Sequence, residues 1–167
     1  VETAIAWRCA LERDNGPSSL ALSRQNLPYQ ARDAAQILDI ARGGYVLADC
    51  DGTPEAIIIA TGSEVMLAMD AAVVLREKGH RIRVVSMPCA DVFDAQDATY
   101  REAVLPAAIS VRVAVEAGVT SGWLKYVGLQ GSVVGIDSFG ESAPAEAAFE
   151  HFGFTVDNVV SHIEPLL

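Results

Sequence analysis

Ile57-Ile58-Ile59, bracketed by Ala56 and Ala60, is apolar without alternation, the pattern of a strand buried on both faces. Thr61-Gly62-Ser63 then turns the chain, and Ser63 stands where a helix N-cap belongs. From Glu64 to Lys78 the apolar positions Val65, Ala68, Met69, Ala72 and Leu75 recur at helical spacing, and Gly79 closes the helix. A second apolar run, Ile82 to Met87, ends at Pro88. Strand, helix and strand at this spacing form a βαβ crossover, so the two strands are expected to lie parallel, with a right-handed connection.

The same patterns run on toward the C-terminus. Ala90 to Leu105 reads as helical in two pieces, with Asp91 and either Asp94 or Asp97 as caps. Val111 to Glu116 is a further apolar run, followed by a short helix holding Trp123, Leu124 and Val127, then a β-branched strand over Ser132 to Ile136. Ser142, with Pro144 and Glu146, opens a helix over 143–152 that stops at Gly153. Thr155 with Asn158 opens the last helix, which carries Val156, Val159, Val160 and Ile163 on one face until Pro165 interrupts it.

Before the crossover the pattern is less regular. Val1 to Arg13 places Ala4, Trp7 and Leu11 on one helical face, with Ile5 and Ala10 widening it, and Asp14-Asn15-Gly16-Pro17 ends it. Ser19 to Ser23 reads as a short strand that delivers Arg24-Gln25-Asn26 at its C-terminal end, where α/β sheets place ligands. One helix and one strand make no core, so residues 1–27 are expected to be the tail of a preceding domain. Residues 28–44 form a polar linker with a short helix over Asp33 to Ala41, and Tyr45 to Asp49 forms an edge strand, antiparallel to the strand at 56–60. Residues 45–167 then make a three-layer α/β domain on a mostly parallel five-stranded sheet.

Composition narrows the function. At 51% hydrophobic, 167 residues can bury a substantial core. No apolar run reaches the roughly 20 residues that cross a bilayer and no basic-then-apolar leader opens the chain, so a cytoplasmic protein is expected. The net charge of −10, from 22 acidic against 12 basic residues, offers phosphate backbones no general attraction, and nucleic acid is not an expected partner. Cys9, Cys50 and Cys89 are dispersed with no Cys-x-x-Cys pair, which reads as idle thiols and argues against an oxidising compartment. His80, His151 and His162 fall near helix ends and read as surface residues.

Six blocks occur in an order that resembles the C-terminal portion of the transketolase family in its bacterial form. They are Leu22-Ser23-Arg24-Gln25-Asn26-Leu27, Ala41-Arg42-Gly43-Gly44-Tyr45-Val46-Leu47, Ile59-Ala60-Thr61-Gly62-Ser63-Glu64-Val65, Arg83-Val84-Val85-Ser86-Met87-Pro88, Arg112-Val113-Ala114-Val115-Glu116-Ala117-Gly118 and Phe139-Gly140-Glu141-Ser142-Ala143-Pro144. Phe152-Gly153-Phe154-Thr155 adds a seventh. On this resemblance, 1–27 is the end of a pyrimidine-binding domain, 28–44 a linker and 45–167 the C-terminal domain. The resemblance implies a cytoplasmic homodimeric enzyme of the pentose phosphate pathway that transfers two-carbon ketol units between sugar phosphates. It uses thiamine diphosphate with Mg2+ or Ca2+.

The chain contains no Gly-Asp-Gly followed by an Asn to hold metal and diphosphate, and the family's activating Glu and catalytic His residues would precede Val1. No catalytic, cofactor-binding or metal-binding residue is therefore assigned here, and the isolated chain is expected to be inactive. One site residue carries over: the family's Ser-Arg-Gln arginine, which contacts the substrate phosphate, stands here as Arg24. A guanidinium fork suits phosphate oxygens, although a surface pair with Asp33 is the plainer reading. The C-terminal domain is expected to contribute dimer contacts. Ser63-Glu64 at a helix start reads as a cap, not an anion cradle, because Glu64 adds like charge. Gly140-Glu141-Ser142 lacks the closing Gly and the His partner of a nucleophile elbow. The competing reading of the chain is a non-catalytic α/β binding or assembly module.

Overall fold

A computed structural model describes all of residues 1–167. Five strands form one sheet: β1 (Tyr45–Ala48), β2 (Ala56–Ala60), β3 (Ile82–Ser86), β4 (Arg112–Val115) and β5 (Ser132–Val134). Their spatial order is β1-β3-β2-β4-β5, with β2 central. Ile58 lies opposite Val84 of β3 on one side and Val113 of β4 on the other, and both pairings are parallel. β4 and β5 are also parallel.

All five residues of β2 are fully buried, and successive side chains serve opposite cores. Ala56, Ile58 and Ala60 face a core closed by α3 (Glu64–Glu77) and α8 (Val156–Ile163). Ile57 and Ile59 face a second core formed with α4 (Ala90–Asp94), α5 (Ala98–Val104) and α6 (Leu124–Val127). The unalternating run is thus the signature of a strand covered by helices on both sides. Gly79 (φ 97°) ends α3 with paired bonds, its N–H to the Arg76 carbonyl (2.9 Å) and the His80 N–H to the Leu75 carbonyl (3.1 Å). At α8, Thr155 Oγ1 accepts from the Asn158 N–H (3.2 Å), as its spacing predicts.

Several expectations need correction. β1 is the antiparallel edge strand, but it pairs with β3 and not with the strand at 56–60, Tyr45 lying opposite Ser86. The reason is that β2 already has β3 and β4 on its two edges, so the turn at 51–54 cannot close a hairpin between β1 and β2. Ser19–Ser23 forms no strand: residues 13–33 contain no helix or strand, because neither edge of this sheet meets the segment and an unpartnered strand has no ladder.

The N-terminal helix, α1 (Glu2–Glu12), forms, yet none of its residues is buried and Trp7 and Leu11 are exposed. Only Ile5 reaches the core, since α3 and α8 already cover that face of the sheet. Ser63 holds the N-cap position of α3 but is itself helical (φ −66°, ψ −30°) and makes no side-chain cap. Asp91 lies inside α4, whose N-cap is Cys89, whereas Asp97 caps α5 by accepting from the Tyr100 N–H (2.9 Å). Ser142 does not cap α7 (Ala145–His151), which starts after Pro144.

Candidate functional site

The carboxyl ends of β2, β3 and β4 are where the loops at 61–63, 87–89 and 116–119 emerge, the usual position for sites in parallel sheets. Residues 13–33 pass this end of the sheet. Ser23 Oγ lies 3.8 Å from where a Cβ on Gly62 would sit, so the stretch that carries Arg24 runs beside the β2–α3 turn. A cleft of about 320 Å³ separates α1 and residues 27–32 from that turn.

Arg24 stands on a bend, is exposed, and makes no ion pair or side-chain hydrogen bond. The pairing with Asp33 does not form, because the Asp33 carboxylate is engaged elsewhere. It accepts from the Gln36 N–H (2.8 Å) while Gln36 Oε1 accepts from the Asp33 N–H (3.0 Å), a reciprocal capping box at the start of α2 (Ala34–Asp39). The guanidinium of Arg24 keeps all five donors for an outside acceptor.

Behind this segment is a buried polar cluster that no local pattern announces. Glu2 Oε1 accepts three hydrogen bonds: from Tyr45 Oη (2.6 Å), Ser86 Oγ (2.6 Å) and Arg32 Nη2 (3.0 Å). Arg32 Nε donates to Tyr45 Oη (2.6 Å) and Nη1 to the Gln30 carbonyl (2.6 Å). The Arg32 side chain is 6% exposed. Burial alone would weaken its charge, but the hydrogen bond and charge interaction with Tyr45, together with Glu2, hold its pKa above the ordinary arginine value. Burial, then the charge of Glu2, pushes the Tyr45 phenol well above its ordinary value. A serine ending an apolar strand was the one available signal, since Ser86 is fully buried and needs an acceptor.

Glu64 is 4% exposed and fills the N-terminus of α3 with its own carboxylate, which accepts from Ser63 Oγ (2.9 Å). An outside anion would meet that charge. Burial raises the Glu64 pKa against the opposing pull of Ser63, and Glu116, itself held by the indole N–H of Trp123, adds to the rise. The folded state therefore holds the Glu64 proton more tightly than the unfolded chain, and stability falls as pH climbs from the unfolded carboxyl value through the raised folded one. Glu64→Gln is expected to remove that slope and to raise Tm at neutral pH. Melting curves from pH 4 to 7.5 check this, and a parallel pH dependence in both proteins would refute it.

The remaining side chains offer no second site. His162 Nδ1 lies 2.9 Å from Ser132 Oγ, and His80 lies 3.9 Å from Glu55 at the surface. The loop holding Gly140-Glu141-Ser142 is exposed, and Ser142 has no His partner. The three cysteines are free. No group of three or more His, Cys, Asp or Glu converges as a metal site. No helix is long and apolar enough to cross a membrane. What the site can do is hold an anion on an exposed guanidinium.

Comparison with known proteins adds the following. The profile of the Transketolase-like TK C-terminal domain family matches residues 43–155. Transketolase 1 of Escherichia coli (strain K12) is 60% identical over all 167 residues, which amount to 25% of its length. The chain thus spans about a quarter of the curated relatives it matches. The transketolase structure from Leishmania mexicana superposes with a TM-score of 0.90 at 45% identity, covering 99% of this chain and 23% of that one. A transketolase from Pichia stipitis in complex with sedoheptulose-7-phosphate gives 0.89 at 38% identity, with 99% and 23% covered.

Proposed function

Because this chain belongs to the transketolase family, we propose that it is the C-terminal part of a thiamine diphosphate-dependent enzyme that transfers two-carbon ketol units between sugar phosphates. The carrying observation is 60% identity across all 167 residues to a protein four times as long. Carbon–carbon bond cleavage and formation are chemistry that thiamine diphosphate supplies when bound, with Mg2+ or Ca2+, on residues of the rest of the enzyme. This chain contributes positioning and substrate recognition.

Residues 1–27 are the end of the pyrimidine-binding domain, 28–44 the linker and 45–167 the C-terminal domain. In this reading Ser19–Ser23 completes a sheet that lies outside this chain, and the exposed Trp7 and Leu11 are covered by the same domain. The parent enzyme works as a homodimer in the cytoplasm, in the pentose phosphate pathway, and the isolated chain is inactive. Arg24 holds the phosphate of the sugar phosphate. The support is its free, exposed guanidinium at the carboxyl end of the sheet, within the block Ser23-Arg24-Gln25, and the sugar phosphate bound in the Pichia stipitis relative.

In the full-length enzyme, Arg24→Ala is expected to raise KM for sugar phosphates about 10- to 100-fold, the worth of one charge-assisted contact, with thiamine diphosphate affinity unchanged. Steady-state kinetics with titration of the cofactor read both quantities. An unaltered KM removes Arg24 from the site.

A further inference from the structure

Residues 14–32 make no backbone–backbone hydrogen bond, so within this chain nothing in the segment's own backbone fixes where Arg24 sits. The loop that α1 and this segment make together is, however, closed at one point, with Glu2 at the start of α1 and Arg32 at the end of the segment. Glu2, ahead of the segment, and Arg32, at its close, meet at 3.0 Å although thirty positions apart, and both bond Tyr45 Oη, while Glu2 also takes the Ser86 hydroxyl. Tyr45 and Ser86 lie opposite each other on β1 and β3, where the strands reach the carboxyl end of the parallel sheet. Tyr45 is 1% exposed and Ser86 fully buried, while the Glu2 carboxylate, 20% exposed, borders the cleft. A charge-assisted, largely buried junction held by several hydrogen bonds has a better-defined geometry than an exposed ion pair.

We propose that Glu2, Arg32, Tyr45 and Ser86 are positioning residues for substrate-phosphate binding, clamping the Arg24 segment to the C-terminal domain so that this domain shapes the affinity for phosphorylated sugars. The proposal rests on the assignment of Arg24 to the substrate phosphate. It gives the C-terminal domain a part in substrate recognition without any of its residues touching substrate. Tyr45→Phe removes the hydroxyl shared by Glu2 and Arg32 yet keeps the buried ring.

The test is steady-state kinetics on the full-length holoenzyme, comparing a ketose phosphate donor with its unphosphorylated ketose. Tyr45→Phe is expected to raise KM for the phosphorylated donor about 3- to 10-fold, the scale of one hydrogen bond passed on through a loop, with kcat within about two-fold. KM for the unphosphorylated ketose stays put, and adding Tyr45→Phe to Arg24→Ala brings no further rise, since the two then act through one contact. Ser86→Ala, which removes one of the three donors to Glu2, gives a smaller shift in the same sense and stands in if Tyr45→Phe does not fold. Equal KM rises for both donors, additive effects with Arg24→Ala, or no rise in either variant would overturn the clamp while leaving Arg24 in place. An unchanged KM in Arg24→Ala alone would overturn the phosphate assignment, and the clamp with it.

Discussion

Arg112→Met is expected to cost about 1.5–3 kcal/mol of folding stability, the range for losing hydrogen bonds from a charged donor and leaving part-buried carbonyls without a partner. The Arg112 guanidinium faces no carboxylate. It donates to four backbone carbonyls: Ile109 (2.8 Å) through Nε, Tyr126 (2.8 Å) through Nη1, and Leu105 (3.1 Å) and Pro106 (2.7 Å) through Nη2. Leu105 follows α5 and Tyr126 lies in the last turn of α6, so one side chain collects the orphan carbonyls of two helix ends and ties them to the first residue of β4. Burial depresses its pKa, only slightly offset by Glu102, but a guanidinium stays charged regardless. Methionine fills much of the volume and satisfies none of the carbonyls. Lysine recovers the charge but not the fork, and should restore less than half of the loss. Urea unfolding of the three proteins measures this, and a loss below about 1 kcal/mol for methionine would mean that water takes over all four carbonyls.

Gly43→Ala is expected to destabilise the fold by roughly 2–5 kcal/mol, from left-handed strain and overpacking together. Gly43 has φ 87° after the 3-10 turn at Ile40–Arg42, and its carbonyl accepts from the Cys89 N–H (2.9 Å). A Cβ there would strike the Cys89 carbonyl and come within 2.5 Å of the Phe93 nitrogen, both backbone atoms of the β3–α4 loop and α4 that cannot swing aside. Gly52→Ala is the matched control. That residue has φ 78° but nothing within 4 Å of its Cβ position, so it bears only the left-handed strain. Equal denaturation midpoints for the two variants would contradict the close approach at Gly43.

The contrast between these two glycines shows what local sequence can and cannot carry. Elements whose signals are periodic or positional within a dozen residues were legible: the buried run at 56–60, the α3 face, the Gly79 stop, the Thr155 cap. The pairing of β1 was not, because which strand lies beside which is decided by competition for the edges of β2 across the whole sheet. Ser63 and Ser142 failed as side-chain caps for a related reason. A capping residue is only a candidate until the backbone angles and its competing partners are known, and Ser63 found Glu64 instead.

Among the residues proposed for the site, Arg24 was legible only through its flanking Ser23 and Gln25 and the collinear blocks around them. In the fold it is exposed and has no side-chain partner within the chain. The cluster of Glu2, Arg32, Tyr45 and Ser86 was illegible, since its members span 84 positions and each looks ordinary in its own neighbourhood. Glu64 was read only as an acid adding like charge at a helix start, and its burial beneath the loop after β4 had no local signal.

Gln36, met above as half of a capping box, serves a second purpose with its amide nitrogen. Nε2 donates to the main-chain oxygens of Val46 (3.0 Å) and Leu47 (2.8 Å), at the irregular step in the register of β1. β1 is one of the two edges of the sheet, and an open edge of a β-branched, apolar strand is a template on which another chain can add itself. A side chain lying along that rim, over a bulge that already spoils a flat ladder, keeps two carbonyls out of reach of an incoming strand. A single glutamine thus closes the capping box of a helix and covers part of a sheet edge that would otherwise lie open.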